Sequence, residues 1–399
     1  QALGAGDRVR ARMLLWQAVW MSLLVGVPLV LPLMMMGPVF ELAGIEAETA
    51  ACARSYLVVR APGLIPLLLF TGARSYLQAV GRPRALVVGV VAANLVNLGA
   101  TLLLVFGGAG LPEWTGALRS VPALGVIGAA LASTLCVLVQ LAAILPALRR
   151  LAVPGFEARM RRPARVDLGR AFRVGGPIGL QMLAEVGVFA LVAFLAGRLG
   201  SGSLAAHQVA LTLAGFSFTV ALGVSAAGSV RVGRAIGAGD SAGTRRAGLT
   251  AFIAGGGFMA CSAIVFFLFP ETLASVMSDR PEVIAAAAPL VTVAAFFQIS
   301  DGLQAVGAGV LRGAGDTRFP FVTNLLGHYA VGMPIAVGLG VFGDKGIIGL
   351  WWGLCAGLTA VGVTLLARFA RLSKRGIKPL VPAGAEGRAR EAGFDGVVG

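Results

Sequence analysis

Hydrophobic positions along this chain gather into long unbroken runs rather than into alternating or half-polar stripes. Ten runs reach or exceed the roughly 20 residues an α-helix needs to cross about 30 Å of hydrocarbon. They cover residues 14–40, 56–80, 85–106, 123–148, 174–199, 205–230, 249–269, 283–311, 319–342 and 347–369. Each predicts a helix, because an open strand edge would leave backbone N–H and C=O groups unsatisfied in lipid. Composition agrees: of 399 residues, 57% are hydrophobic and 13% charged. A soluble domain carries about 25% charged residues, so a water-soluble globule and a disordered chain are both excluded.

The net charge of +15 would suggest a nucleic-acid partner in a soluble chain. Its placement says otherwise. Alternate connections, counted from before the first run to the C-terminal segment, hold 26 of the 33 Lys and Arg residues, and the opposite connections hold six. This is the positive-inside pattern, and it places the C-terminus in the cytoplasm. No aromatic residues interleave with the arginines, so no nucleic-acid partner is expected. Cys52, Cys136, Cys261 and Cys355 stand far apart, and with only two histidines they offer no zinc or haem ligand set. No cofactor is expected.

The chain repeats itself. Gln1-Ala2-Leu3-Gly4-Ala5-Gly6-Asp7 returns as Arg234-Ala235-Ile236-Gly237-Ala238-Gly239-Asp240, a shift of 233. Leu77 to Arg84 align with Leu311 to Arg318 at a shift of 234, and Gly125-Val126-Ile127-Gly128 with Gly346-Ile347-Ile348-Gly349 at 221. The Gly-Ala-Gly-Asp segments lack the lysine and serine of a phosphate-binding loop and are expected to be tight turns. In the second copy two apolar runs precede that segment, whereas the first copy opens on it. The natural protein is therefore expected to carry about 70 further N-terminal residues with two more helices. Two six-helix halves would insert in the same orientation, a parallel-repeat architecture of transporters. The expected organisation is an N-terminal lobe of four helices (1–150), a basic cytoplasmic linker (151–170), a six-helix C-terminal lobe (171–375) and a disordered tail (376–399). The fold class is all-α and polytopic, with ten of twelve transmembrane helices present.

Two acids, Glu185 and Asp301, fall inside the apolar runs. An ionised carboxylate at a helix centre costs about 2.5–3.5 kcal/mol, so such groups face a protein interior or a wet cavity. Gln181 lies one turn before Glu185, with Gly175-Gly176-Pro177 beneath to bend the helix. Gln298, Asp301 and Gln304 form a polar stripe, and Phe297 sits one turn before Asp301. Two carboxylates able to share one cation make a candidate Na⁺ or H⁺ site. Asn94 and Asn97 on one run, and Asn324 and His328 on the run the repeat aligns with it, are candidates for lining a substrate cavity or for interhelical hydrogen bonding. His207 is a further candidate, as a pH-sensing or a structural histidine.

The run Ala205-Ala206-His207-Gln208-Val209-Ala210, followed by Val230-Arg231-Val232-Gly233-Arg234-Ala235-Ile236-Gly237, resembles the bacterial multidrug and toxic compound extrusion (MATE) family. So do Asp301-Gly302-Leu303-Gln304, Leu311-Arg312-Gly313-Ala314-Gly315-Asp316-Thr317 and Gly349-Leu350-Trp351-Trp352-Gly353. The resemblance is to the NorM-type branch and covers residues 1–371. It implies a twelve-helix, two-lobed exporter rather than an enzyme, moving organic cations and amphipathic drugs outward in exchange for Na⁺ or H⁺. It also implies that Glu185 and Asp301 fall on the family's C-lobe cation-site carboxylates. The branch often carries a tyrosine where Phe297 stands, which shifts the expectation from sodium toward protons. Such a protein is expected in the bacterial inner membrane, as a monomer in the lipid bilayer. Two rival readings are a flippase for lipid-linked precursors, which would want an arginine-lined cavity, and a polytopic membrane transferase, which would want acids and histidines clustered at an interface loop.

Overall fold

The computed structural model describes residues 1–109, 113–375 and 377, and among these the fold is entirely helical. Ten helical stretches are long and apolar enough to span a membrane. The tail expected at 376–399 lies outside the described residues apart from residue 377. The chain divides into two compact units, Asp7–Leu168 and Gln1–Gly6 with Gly169–Gly399.

The first unit contains α1 (Arg8–Met34), α2 (Gly37–Leu42), α3 (Ala47–Arg60), α4 (Leu64–Val80), α5 (Pro83–Phe106) and α6 (Gly125–Arg149). The apolar run expected to cross at 14–40 is shifted toward the N-terminus. Asp7 caps α1 by accepting from Arg10 N at 2.7 Å, and α1 stops at Met35 before Pro38 starts the short α2. A single turn at Ala61–Gly63 carries α3 into α4, so the two cross as one span, Ala47–Val80.

The segment expected to be a linker docks, through Leu168, onto α1 of this unit. Gln17, 3% exposed, donates from Nε2 to the Arg162 carbonyl at 2.9 Å and accepts at Oε1 from Ala164 N at 2.9 Å. Trp20 Nε1 donates to the Arg161 carbonyl at 2.7 Å, and Arg10 Nη1 reaches Asp167 Oδ2 at 3.0 Å. The segment therefore satisfies its backbone on helix side chains instead of on water.

The second unit contains α7 (Arg165–Arg198, whose first residues belong to the first unit), α8 (Ser201–Gly237), α9 (Ser241–Leu268), α10 (Pro270–Met277) and α11 (Pro281–Ala314). It ends with α12 (Arg318–Leu325), α13 (Met333–Val337) and α14 (Gly346–Arg375). The run expected as one helix at 319–342 widens into π-helical turns at Leu326–Gly332 and Gly338–Phe342 around α13, whose Pro334 has no N–H to give. α7 continues through Pro177, which likewise leaves the Arg173 carbonyl without its usual donor. α11 is the buried centre, packed by α8, α9 and α14. A Cβ added at Gly309 or Gly313 would collide with the backbone of Ser225 or Ser229 on α8. Small residues thus let the two helices meet at backbone distance. Residues Gln1–Gly6 pack on the same end, where Gln1 Nε2 donates to the Gly313 carbonyl at 3.2 Å.

Each sequence repeat corresponds to repeated backbone geometry. Asp240 caps α9 as Asp7 caps α1, accepting from Gly243 N at 2.7 Å. Gly81 and Gly315 end α4 and α11 in the left-handed region, φ 80° and 88°, where a side chain would be strained. The following N–H groups close the same ring, Arg82 N to Leu77 O at 2.9 Å and Asp316 N to Leu311 O at 3.0 Å. Gly125 and Gly346 open α6 and α14 at φ 52° and 54°.

Replacing Gln17 by Leu should strand two backbone groups of the docked segment and cost about 1–3 kcal/mol. We expect a lower thermal midpoint in detergent and faster proteolysis within 151–164. An unchanged digestion pattern would show that the docking does not depend on this side chain.

Candidate functional site

The polar residues of α11 lie in its most buried stretch: Gln298 is 0% exposed, Asp301 5% and Gln304 1%. Asp301, Gln304, Ala308 and Arg312 follow i, i+3, i+7, i+11 and so share one helical face. On α7, Glu185 is half-buried, with the buried Gln181 one turn before it. The two helices meet through an amide: Gln304 Nε2 donates to Glu185 Oε2 at 3.2 Å. Glu185 therefore stands on a side chain one turn from Asp301, near enough for the two acids to act on each other electrostatically. Among the described residues neither carboxylate has a basic group within ion-pair distance, but the Arg312 charge acts on Glu185 from the end of α11.

An aromatic wall closes one side of this cluster. Phe297, 2% exposed, lies against Trp351 (ring centroids 5.3 Å) and meets Phe189 of α7 edge-on (6.1 Å). Trp351 Nε1 donates to His207 Nδ1 at 3.1 Å. Nδ1 is thus an acceptor, so the neutral ring carries its proton on Nε2, which is buried without a partner. Next to Glu185, the Ala184 carbonyl accepts from Tyr329 Oη at 3.0 Å. A Cβ at Gly187 would lie 2.6 Å from that hydroxyl, so a side chain there would displace the Tyr329 tip from its place.

The remaining predicted residues are more scattered. Gln298 accepts from Ser217 Oγ at 2.8 Å and keeps its Nε2 unpaired. His328 Nδ1 pairs with the Asn324 carbonyl at 2.9 Å in the π-helical segment, while His328 Nε2 and both polar side-chain atoms of Asn324 are buried and unpaired. Asn94 and Asn97 belong to the first unit, and Asn94 donates to Val90 O of its own helix at 2.9 Å.

Sequence reasoning missed Arg312, Ser217, Tyr329 and Trp351. Arg312 is one of the charges counted in the connections, yet its i+11 spacing from Asp301 places it on the polar stripe. Trp351 stood within the Gly349-to-Gly353 motif but was given no partner. Nothing in the spacing of Ser217 or Tyr329 marks them, since their partners lie on other helices.

A protein-family model described as MatE matches residues 1–103 and 177–337. The chain belongs to the MATE family. Within the family it is similar to NorM-type members. It is 35% identical over 383 residues to a probable multidrug resistance protein NorM of Rhizobium meliloti (strain 1021), covering 94% of this chain and 80% of that protein. A probable multidrug resistance protein NorM of Deinococcus radiodurans is also 35% identical, over 94% of this chain and 82% of its own length. Among solved structures, a MATE crystal structure in the straight conformation superposes with a TM-score of 0.82 at 18% identity, covering 94% of this chain and 82% of that one. At that identity the likeness speaks for the fold. This MATE chain is a multi-pass membrane protein of a multidrug efflux family.

Replacing Trp351 by Phe leaves the buried His207 Nδ1 without its donor and should cost about 1–3 kcal/mol. A double-mutant cycle with His207→Leu, read by thermal unfolding, should return a coupling of about 1 kcal/mol. Strict additivity would mean that the pair contributes only packing.

Proposed function

We propose that this protein exports organic cations and amphipathic drugs across the bacterial inner membrane by antiport, with Glu185 and Asp301 as the cation-coupling pair. The observation that carries this is the buried cluster of Glu185, Gln304 and Asp301. Two carboxylates repel each other there and, among the described residues, one arginine, Arg312, offsets the charge of Glu185. One proton or one monovalent cation would complete the charge balance. The NorM relatives are named for multidrug resistance, which supports a drug as the counter-substrate.

We favour the proton. Phe297 supplies no oxygen, and its ring is committed to Phe189 and Trp351. Sodium would have to find its ligands among the two carboxylates and neighbouring amides, whereas a proton needs only one carboxylate oxygen. In the cycle, protonation from outside favours drug release there. The lobes then turn to the cytoplasm, and deprotonation permits drug binding. A cation with equal affinity for both states would drive nothing, so its binding must differ between them. Each inward charge contributes about 2.3 kcal/mol per 100 mV of membrane potential.

The test is transport of a fluorescent organic cation by the full chain in proteoliposomes under separately imposed H⁺ and Na⁺ gradients. We expect a pH gradient to drive uptake in sodium-free medium. Glu185→Gln and Asp301→Asn should each reduce coupled transport at least tenfold while eluting as folded protein. Full coupled transport in either variant would overturn the assignment, and transport driven only by sodium would overturn the preference for protons. Gln304→Leu should retain binding of the cation but shift the pH dependence of transport, because the bond that positions Glu185 is gone.

A further inference from the structure

The internal repeat lets positions in the two halves be compared, and they differ at the slot of Leu148 and Phe369. In the second unit the space between α9, α11 and α14 is plugged by Phe369. That ring is 0% exposed, lies 6.2 Å from the Phe252 ring, and approaches Gly248 so closely that a Cβ there would collide with it. The shift of 221 carries Leu148 onto Phe369, and the shift of 233 carries Leu15 and Val19 onto Gly248 and Phe252. In the first unit the smaller Leu148, with Ala18, Gly72 and Ala73, leaves a cavity of about 350 Å³ between α1, α4 and α6. This falls in the size range of ligand pockets, about 300–1,000 Å³.

The cavity is apolar inside and cationic at its edge. Arg12 and Arg149 line it, and Arg161 of the docked segment lies over the ring of Trp16, another lining residue, at 5.2 Å. Arg12 rests over Tyr76 at 5.6 Å and reaches the Leu148 carbonyl at 3.4 Å. Among the described residues none of these three arginines has a carboxylate within ion-pair distance. The nearest acids in sequence are already engaged, Asp7 capping α1 and Glu157 pairing with Arg159, and the next, Asp167, pairs with Arg10. The arginines also sit at the arginine-rich ends of their spans, the side that faces the anionic cytoplasmic leaflet.

We propose that this cavity is a binding site for an anionic phospholipid of the inner leaflet, one acyl chain entering between α1, α4 and α6 and the phosphate meeting Arg12 and Arg149. A drug cation is disfavoured by the charge of the rim. A free phosphate would leave the apolar interior empty. The site is independent of the coupling residues Glu185 and Asp301.

Native mass spectrometry of the full chain in mild detergent, titrated with palmitoyl-oleoyl phosphatidylglycerol or phosphatidylcholine, tests this. We expect one phosphatidylglycerol to be retained under activation that strips phosphatidylcholine, with at least a fivefold preference. Arg12→Gln with Arg149→Gln should abolish that preference. Leu148→Phe, which supplies the ring found in the other half, should lower occupancy at least fivefold with the arginines intact. Ala73→Leu fills the slot from α4 and serves the same purpose where the first variant does not fold. A thermal-shift arm should show stabilisation by phosphatidylglycerol and none by inorganic phosphate or glycerol 3-phosphate. Equal retention of the two lipids, unchanged retention in both slot-filling variants, or equal stabilisation by phosphate alone would overturn the proposal.

Discussion

A helix can carry acids and amides through a bilayer only if neighbouring helices keep those groups out of hydrocarbon, and in this protein α11 meets that constraint with glycine. Lipid supplies no hydrophobic drive between helices, so close packing has to hold them. At Gly309 and Gly313 the backbone of α8 approaches to a distance that no side chain would permit. At Gly302 and Gly307, Met259 of α9 and Leu365 of α14 take the room a Cβ would need. The same packing that buries α11 along its length gives Gln298, Asp301 and Gln304 an interior to face. The polar cluster is therefore a consequence of the glycine pattern rather than an addition to it.

Much of this was legible in the chain because lipid restricts backbone to very few solutions. The apolar runs could only be helices, and the polar stripe of α11 was readable from spacing alone. The Gly-Ala-Gly-Asp segments were legible as turns, and in the structure each ends in an Asp that caps the next helix. Other features escaped for physical reasons. Helices α7 and α8 run beyond their apolar stretches, to Arg165 and Gly237, because backbone hydrogen bonding does not stop where hydrocarbon does. The segment after α6 docks through the carbonyls of Arg161 and Arg162, and backbone acceptors have no signature in a sequence. The pairing of Glu185 with Gln304 joins distant helices, so spacing along either one could not disclose it.

Arg312 shows how a single residue can serve two arguments. Counted among connection charges, it falls on the side that the positive-inside pattern expects in the cytoplasm. On its helix it stands on the face of Asp301 and Gln304, where its charge acts on Glu185. Such an arginine lowers the cost of holding one carboxylate ionised, and in the proposed coupling the second is the group whose charge a mobile cation meets. In the proposed coupling, two acids and one arginine among the described residues leave one charge for a reversible monovalent cation to meet.

The two halves keep their caps and differ in their cores, and the reason lies in what each position demands. A glycine at φ 80° in Gly81 or 88° in Gly315 has no substitute that avoids strain, so a duplicated segment retains it at each turn. A core position asks only that the volume be filled, and many side chains can do so. One half meets that demand with Phe369. The other places Leu148 there and leaves a space with Arg12 and Arg149 at its edge. An unfilled apolar space forfeits contacts its walls could make. Beside a bilayer that loss is avoidable, since an acyl chain from the surrounding lipid can supply the missing atoms. What the first half lacks in side-chain volume is thus available from its solvent, and the charge at the rim selects which lipid provides it.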